Sequence, residues 1–168
     1  MREKQRLCGL LVVSALAMLV GQACGGDNGS EENGENGNGE EQPARLEVTL
    51  QGTVQKGPFV ADSSVQVSLL DQALNAGDES QSAKTDSDLG DYSASLETEG
   101  AVHVSGAGYH FDEVSGRRST MTLTLNALYE PTAAGSHEVN VNVLTHILTP
   151  RIRSLVAGGA SFSEASSQ

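Results

Sequence analysis

Cysteine is rare in this sequence, with two residues among 168, at positions 8 and 24. Cys8 lies in residues 7–20 (LCGLLVVSALAMLV), which are apolar apart from one serine and follow three basic side chains in residues 1–6. A charged start and a short apolar run are typical of a secretory signal peptide. The run is shorter than the roughly 20 residues that a transmembrane helix requires. We therefore predict that residues 1–23 are a signal peptide and that the protein is exported.

The scarcity of cysteine also excludes a disulfide framework. Gly21, Gln22 and Ala23 give the small, any, small pattern that precedes a signal peptidase cut, so we predict cleavage after Ala23. Cleavage removes Cys8, and Cys24 alone cannot form an intrachain disulfide. The stretch LVGQAC resembles the lipid-attachment sequence of bacterial lipoproteins, although that family prefers leucine where Gly21 stands. The resemblance implies that Cys24 carries a lipid, and a free N-terminal thiol is the alternative.

Basic side chains are scarce as well. The chain has 10 Lys and Arg against 22 Asp and Glu, for a formal net charge of −12. Removing residues 1–23 takes away three basic residues and one acidic residue, which leaves 7 against 21, or −14. A surface this acidic repels phosphate backbones and anionic headgroups. We expect no nucleic-acid partner, and we expect contact with a membrane through the lipid anchor alone.

Tryptophan is absent, and the chain has only three Tyr and three Phe. Most of these rings are needed in a core, which leaves few for a sugar-binding platform. The sequence also has no Gly-x-Ser-x-Gly motif and no phosphate-binding glycine loop. We therefore name no catalytic residue and predict that the protein is not an enzyme.

Residues 25–42 (GGDNGSEENGENGNGEEQ) contain no apolar side chain. Such a composition cannot bury a core, so we expect residues 24–43, from the lipid-attachment cysteine onward, to be a disordered acidic tether. A flexible segment of this length has a root-mean-square reach on the order of 25 Å. It would hold the following domain away from a membrane.

Residues 44–143 alternate apolar and polar side chains, with the period of half-buried strands. The alternation recurs at six places: Leu46/Val48/Leu50, Val65/Val67/Leu69, Tyr92/Ala94/Leu96, Val102/Val104, Met121/Leu123/Leu125 and Val139/Val141/Val143. Turn-forming residues separate these runs, among them Ala76-Gly77-Asp78 and Asp88-Leu89-Gly90. The pattern predicts a mainly β fold, an antiparallel β-sandwich of about seven strands.

Residues 144–168 change to helical spacing. One helical face collects six apolar side chains: Leu144, Ile147, Leu148, Ile152, Leu155 and Val156. Thr149-Pro150 predicts an N-cap followed by proline at the first helical position, and Gly158-Gly159 predicts the end of that helix. Ser161 and Glu164 form a capping box that predicts a second helix, but only four residues follow Glu164. We interpret the chain as a shortened, N-terminal part of a longer protein; a chance Ser-x-x-Glu is the alternative.

Four stretches of the sequence together resemble a known family: GTVQKGPFVADSSVQVSLLD, TDSDLGDYSASL, GYHFDEVSGRRS and NVNVLTHILTPRIRSLV. They are similar to the transthyretin-like, carboxypeptidase-regulatory-like module that follows the lipidated cysteine in many bacterial surface lipoproteins. The resemblance covers about residues 46–165. It implies a β-sandwich without catalytic residues of its own, usually followed by further domains. The family's C-terminal helix continues past the position of Gln168, which agrees with a shortened chain.

The stretch TDSDLGDYSASL is the one candidate metal loop. Asp86, Asp88 and Glu97 fall at positions 1, 3 and 12 of an EF-hand template, but Gly90 and Asp91 reverse the residue types required at positions 5 and 6. A strand also follows where an EF-hand begins its helix. We predict a hairpin turn in which Gly90 has a positive φ. A weak, non-EF calcium site at Asp86, Asp88 and Asp91 is the alternative.

The histidines give no confident metal site. His110 lies beside Asp112 and Glu113, which are potential metal ligands. Strand alternation instead predicts that Tyr109 and Phe111 point into the core while His110 and Asp112 face water.

These observations predict a non-enzymatic, lipid-anchored protein of the cell envelope, at the outer membrane or cell surface, with a structural or partner-binding role. The partner would be an unknown protein or surface component, and no cofactor is expected besides the lipid, with a weakly bound calcium ion as the alternative. Two alternatives stay open. The chain is the N-terminal fragment of a larger secreted enzyme, or it is a calcium-stabilised binding domain.

Overall fold

The computed structural model describes residues 45–168. The predicted signal peptide, its cleavage site at Ala23, Cys24 and the tether lie outside the described residues. Residues 45–168 form these strands and helices: β1 (Leu46–Gln55), β2 (Ser64–Leu70), β3 (Ala76–Lys84), β4 (Asp91–Thr98), β5 (Val102–Gly108), β6 (Phe111–Asp112), β7 (Arg117–Arg118), β8 (Leu123–Tyr129), β9 (Gly135–Glu138), β10 (Val141–Asn142), α1 (Val143–Ala157) and α2 (Phe162–Ser166).

Two four-stranded sheets make up most of the domain. In the first sheet, β1 pairs antiparallel with β4 along one edge and parallel with β9 and then β10 along the other. The second sheet is antiparallel throughout, in the order β3-β2-β5-β8. The prediction of a mainly β, sandwich-like fold with a short C-terminal helical segment is confirmed. Seven strands have four or more residues, and the parallel pairing of β9 and β10 is the departure from an antiparallel pattern.

The core consists of the inward-facing side chains of the two sheets. Alternate residues of β1, β2 and β5 are fully buried, as the period of two requires. The largest fully buried side chains are Phe59, Leu50, Val54, Val65, Val67, Val102, Val104 and Val141. Tyr92 of β4 is also buried and donates its hydroxyl to the carbonyl of Val139 at 2.6 Å. Burial raises the pKa of Tyr92, so this phenol keeps its proton and the hydrogen bond.

Strand β3 was not predicted, because its sequence has no apolar alternation. The segment Ala76-Gly77-Asp78 was expected to be a turn, but it begins a nine-residue strand (AGDESQSAK) that is exposed except at Ala83. The strand is held by its backbone pairing with β2, from Ser64↔Lys84 to Leu70↔Ala76. Polar and charged side chains along the free side of an edge strand discourage pairing with other chains.

Helix α1 starts about two turns earlier than the sequence predicted. Its N-cap is Asn142, whose side chain accepts hydrogen bonds from the backbone N–H groups of Leu144 and Thr145, while the Thr145 hydroxyl bonds back to the Asn142 N–H. The predicted cap at Thr149 is therefore wrong, and Pro150 lies inside the helix. An Asn-x-x-Thr capping box satisfies the free N–H groups about two turns sooner.

The other C-terminal boundaries were predicted correctly. Gly158 is the C-cap of α1, and Gly159 has a φ of 98°. Ser161 caps α2, and the Glu164 carboxylate accepts from the Ser161 N–H at 2.9 Å, which completes the expected capping box.

Candidate functional site

The first half of α1 exposes its apolar side chains and turns its polar side chains toward the sheets. Leu144 and Ile147 are 71% and 61% exposed, and Leu148 and Val143 are also exposed. A surface helix of a globular protein normally has the opposite arrangement, with its apolar stripe on the core. We call the surface formed by Val143, Leu144, Ile147 and Leu148 the outer face of α1.

Hydrogen bonds explain why the polar side chains of this half face inward. His146 accepts from the Asn126 amide of β8, with 3.1 Å between Nδ1 and Nδ2. The Thr149 hydroxyl, in a residue that is only 7% exposed, donates to the carbonyl of Thr145 at 2.9 Å. Thr145 itself belongs to the capping box. Each inward polar group therefore has a partner, so burying it is not penalised.

The second half of α1 has the ordinary orientation. Ile152 is buried, and it forms a small second core with Leu74, Ala101 and Ala165. Arg153 donates to the carbonyl of Leu74, a buried residue with a positive φ of 60°. This half anchors the helix, so the exposure of the outer face does not come from a loosely attached element.

The outer face has a basic end. Arg151 follows Leu144 by seven residues and Ile147 by four, so it continues the same exposed stripe. Helix α1 contains no Asp or Glu. The face is thus apolar with one cation beside it, in a domain where residues 45–168 carry 7 Lys and Arg against 15 Asp and Glu.

Sequence periodicity found the side chains of α1 but assigned them to one buried face. The structure separates them, since Leu144, Ile147 and Leu148 face outward whereas Ile152 is buried. The inward side is instead marked by a different series: Thr145, Thr149, Ile152 and Val156. That series follows the helical spacing i, i+4, i+7, i+11, and an Asn142 cap precedes it. These two signals could have shown the orientation, but threonine does not count in an apolar pattern.

The candidate calcium residues lie in the link between β3 and β4. Asp88 accepts from the Ala61 N–H at 2.9 Å, and Asp91 accepts from the Ser87 hydroxyl at 2.6 Å. Gly90 has the predicted positive φ, 81°, and a Cβ there would collide with the carbonyl of Val54. The predicted turn is present, because Thr85 and Tyr92 form an antiparallel bridge and the Asp86 N–H donates to the Asp91 carbonyl at 2.7 Å. The pairing stops after this bridge, since β3 and β4 continue into different sheets. Within residues 45–168 no group of three or more His, Cys, Asp or Glu could hold a metal ion.

The prediction for His110 and its neighbours is wrong. His110 is 8% exposed and stacks on Phe59, with 5.9 Å between ring centroids, whereas Tyr109 and Phe111 are exposed. The backbone bridge between Phe59 and His110 puts the imidazole on the inner side, which shifts the alternation by one residue. The Arg118 guanidinium covers the Tyr109 ring at 4.8 Å from its centroid. Asp112 accepts from the Val114 N–H and the Ser115 hydroxyl, so it serves a local turn.

Comparisons with protein-family models, with curated proteins and with solved structures found no match. Neither helix of the described residues has the length and apolar content to span a membrane. The outer face of α1 is therefore judged on its own chemistry.

We expect that calcium does not stabilise this protein, because Asp88 accepts from the Ala61 N–H of a neighbouring loop and Asp91 accepts from the Ser87 hydroxyl within the turn. We expect the same melting midpoint in 5 mM calcium and in excess chelator. Asp86→Asn is the matched variant, and its midpoint should be equally insensitive to calcium. A midpoint that rises with calcium in the unmodified chain but not in Asp86→Asn would contradict the turn interpretation, since a ligand that binds only the native state raises its stability.

Proposed function

We propose that this protein is an exported, lipid-anchored module of the cell envelope that has no catalytic role and binds another protein through the outer face of α1. The observation that carries the proposal is the reversed orientation of the first half of α1, with Leu144 and Ile147 mostly exposed. The signal pattern, Cys24 and the acidic tether support the anchored, exported part of the proposal. The outer membrane or the cell surface is the proposed location.

Exposed apolar side chains gain free energy when a partner covers them. Fully burying a leucine or isoleucine side chain is worth about 1.5–3 kcal/mol. Leu144 and Ile147 contribute little of this within the described domain and Leu148 about half, while Ile152 on the same helix is buried. A contiguous apolar surface on a well-anchored helix is typical of a protein-interaction site.

The charge of the domain supports one kind of partner over others. Two copies of the domain would each bring 7 basic and 15 acidic residues in residues 45–168, so they repel. The same surplus of acid repels an anionic bilayer. Arg151 lies at the end of the outer face, where its guanidinium also donates to the Gln168 carbonyl at 3.2 Å. Because α1 has no acid, a surface with apolar side chains and a carboxylate near one end would complement it. The partner we propose is thus a different protein.

We also propose that the domain is a transthyretin-like, carboxypeptidase-regulatory-like module. The two-sheet arrangement, with β1 central in one sheet and β2 and β5 central in the other, supports that assignment. A weakly bound calcium ion is not part of this proposal.

Lipidation is tested by metabolic labelling with a clickable fatty acid in cells that produce the protein. We expect label on the unmodified chain and on Cys8→Ser, and loss of the label in Cys24→Ser. Cys8→Ser is the matched control, because it removes the other thiol. Label that persists in Cys24→Ser would contradict the proposed anchor.

Partner binding is tested by photo-crosslinking in the same cells, with p-benzoylphenylalanine in place of Ile147. We expect a discrete adduct with one other protein, and its loss when Leu144→Ser is added, because that change removes apolar contact beside the probe. The control probe replaces Ser82, which is exposed on β3, on a different element.

Three results would contradict the proposed partner: equal adducts from both probe positions, an adduct with a second copy of this chain, or an adduct with lipid alone. A discrete adduct that survives Leu144→Ser would also contradict it, because binding would then not depend on the outer face.

A further inference from the structure

Three side chains form a continuous hydrogen-bonded bridge from the second sheet to α1. His103 of β5 lies with Nε2 3.2 Å from Asn126 Oδ1, and the other end of the same amide, Nδ2, lies 3.1 Å from His146 Nδ1. Among the described residues, this is the one side-chain hydrogen bond from the first half of α1 to the second sheet. We call these three residues the histidine bridge.

The Asn126 amide determines which of the facing imidazole nitrogens carries a hydrogen. Oδ1 only accepts, so the facing His103 nitrogen carries a hydrogen. Nδ2 only donates, so the facing His146 nitrogen carries none. Turning the Asn126 amide by 180° exchanges these two roles but still requires one donor and one acceptor. Either imidazole can thus be protonated alone with both bonds kept, because the amide adapts.

Protonation of both imidazoles cannot keep both bonds. An imidazolium has a hydrogen on each nitrogen, so with Asn126 Oδ1 toward His103, as in the structure, His146 would face the N–H₂ end donor to donor. The bond that is lost is then the one between the sheet and α1. Two cations would then lie on either side of a neutral amide that is partly buried. The second proton taken from solvent therefore breaks one of the two hydrogen bonds and adds charge repulsion.

Burial and nearby positive charge make protonation of both imidazoles still less favourable. Burial, and next the positive charge of Arg153, lower the pKa of His103 below its ordinary value of 6.5. The strands around the bridge offer no compensating carboxylate, because β2, β5 and β8 contain no Asp or Glu. On the neighbouring α2, the Glu164 carboxylate is bound to Ser161. Tyr129 ends β8, and its hydroxyl pairs with His137.

We propose that the histidine bridge is a proton-sensitive joint that holds the first half of α1 on the second sheet at neutral pH and releases it when both imidazoles are protonated. The first half of α1 carries the outer face, so the joint would make partner binding pH-dependent; this consequence rests on the proposed function. A histidine whose pKa is lowered by folding stabilises the fold above its ordinary pKa. That contribution is lost as the pH falls through the lowered value, so release occurs on the acid side of about pH 6.5.

Hydrogen exchange of the full chain, measured by mass spectrometry at pH 7.5 and pH 5.0 and corrected for the intrinsic effect of pH, tests the joint without any partner. We expect protection of residues 145–151 to fall about tenfold at pH 5.0, the effect of one lost hydrogen bond, while residues 152–157 change less. His137→Gln is the matched control and should keep this response, since His137 contacts Tyr129 and the carbonyl of Ala133 instead.

The decisive variant is Asn126→Asp. A carboxylate accepts hydrogen bonds from both imidazolium rings, so protection of residues 145–151 should be equal or higher at pH 5.0. An unmodified chain without the acid-dependent loss, or an Asn126→Asp chain with the same loss, would overturn the joint. The photo-crosslink at pH 7.5 tests the partner separately. If no discrete adduct forms but protection of residues 145–151 still falls at pH 5.0, the proposed function is refuted and the joint is not. If the adduct forms but protection does not fall, the joint is refuted and the proposed function is not.

Discussion

Strand β1 is the element on which the rest of the structure depends, because it is paired along both edges and buried on one face. It forms eight consecutive residue pairs with β4 along one edge and six residue pairs with β9 and β10 along the other. Leu50 and Val54 contribute fully buried side chains to the inter-sheet core. The second sheet approaches Val54 so closely that a Cβ on Gly106 would lie 2.5 Å from one of its methyl groups. Substitution of a larger residue at Gly106 would separate the sheets.

The pairing of β1 with β10 also determines where the C-terminal helix begins. Gln55 pairs with Asn142, and Asn142 is the N-cap of α1. The helix therefore begins beside the C-terminal end of β1 and lies along β8, with which it has its most extensive contacts. Its second half is fixed by Ile152 and Arg153. In the first half, His146 bonds to Asn126 of β8, Thr145 and Thr149 face inward with their own hydrogen bonds, and the apolar outer face is exposed.

Sequence patterns predicted the elements that have a buried face. The alternation in LEVTLQGTV, SVQVSLL and DYSASL marks β1, β2 and β4, because each of these strands has one face on the core. Strand β3 has nearly no buried side chain, so its existence depends on backbone pairing that a periodicity argument does not detect. His110 was misplaced because a single bridge with Phe59 sets its orientation. The outer face of α1 was missed because inward-facing threonines, held by local hydrogen bonds, replaced the apolar residues that usually mark the inner side.

Helix α1 presents Ile147 to solvent and Ile152 to the core. Urea unfolding of Ile147→Ala and Ile152→Ala tests this orientation most directly, because the two substitutions remove the same atoms from one helix. We expect Ile147→Ala to change the free energy of unfolding by less than about 0.5 kcal/mol, whereas Ile152→Ala should lower it by about 2–5 kcal/mol. Equal losses in the two variants would contradict this orientation, because Ile147 would then be buried in the folded chain.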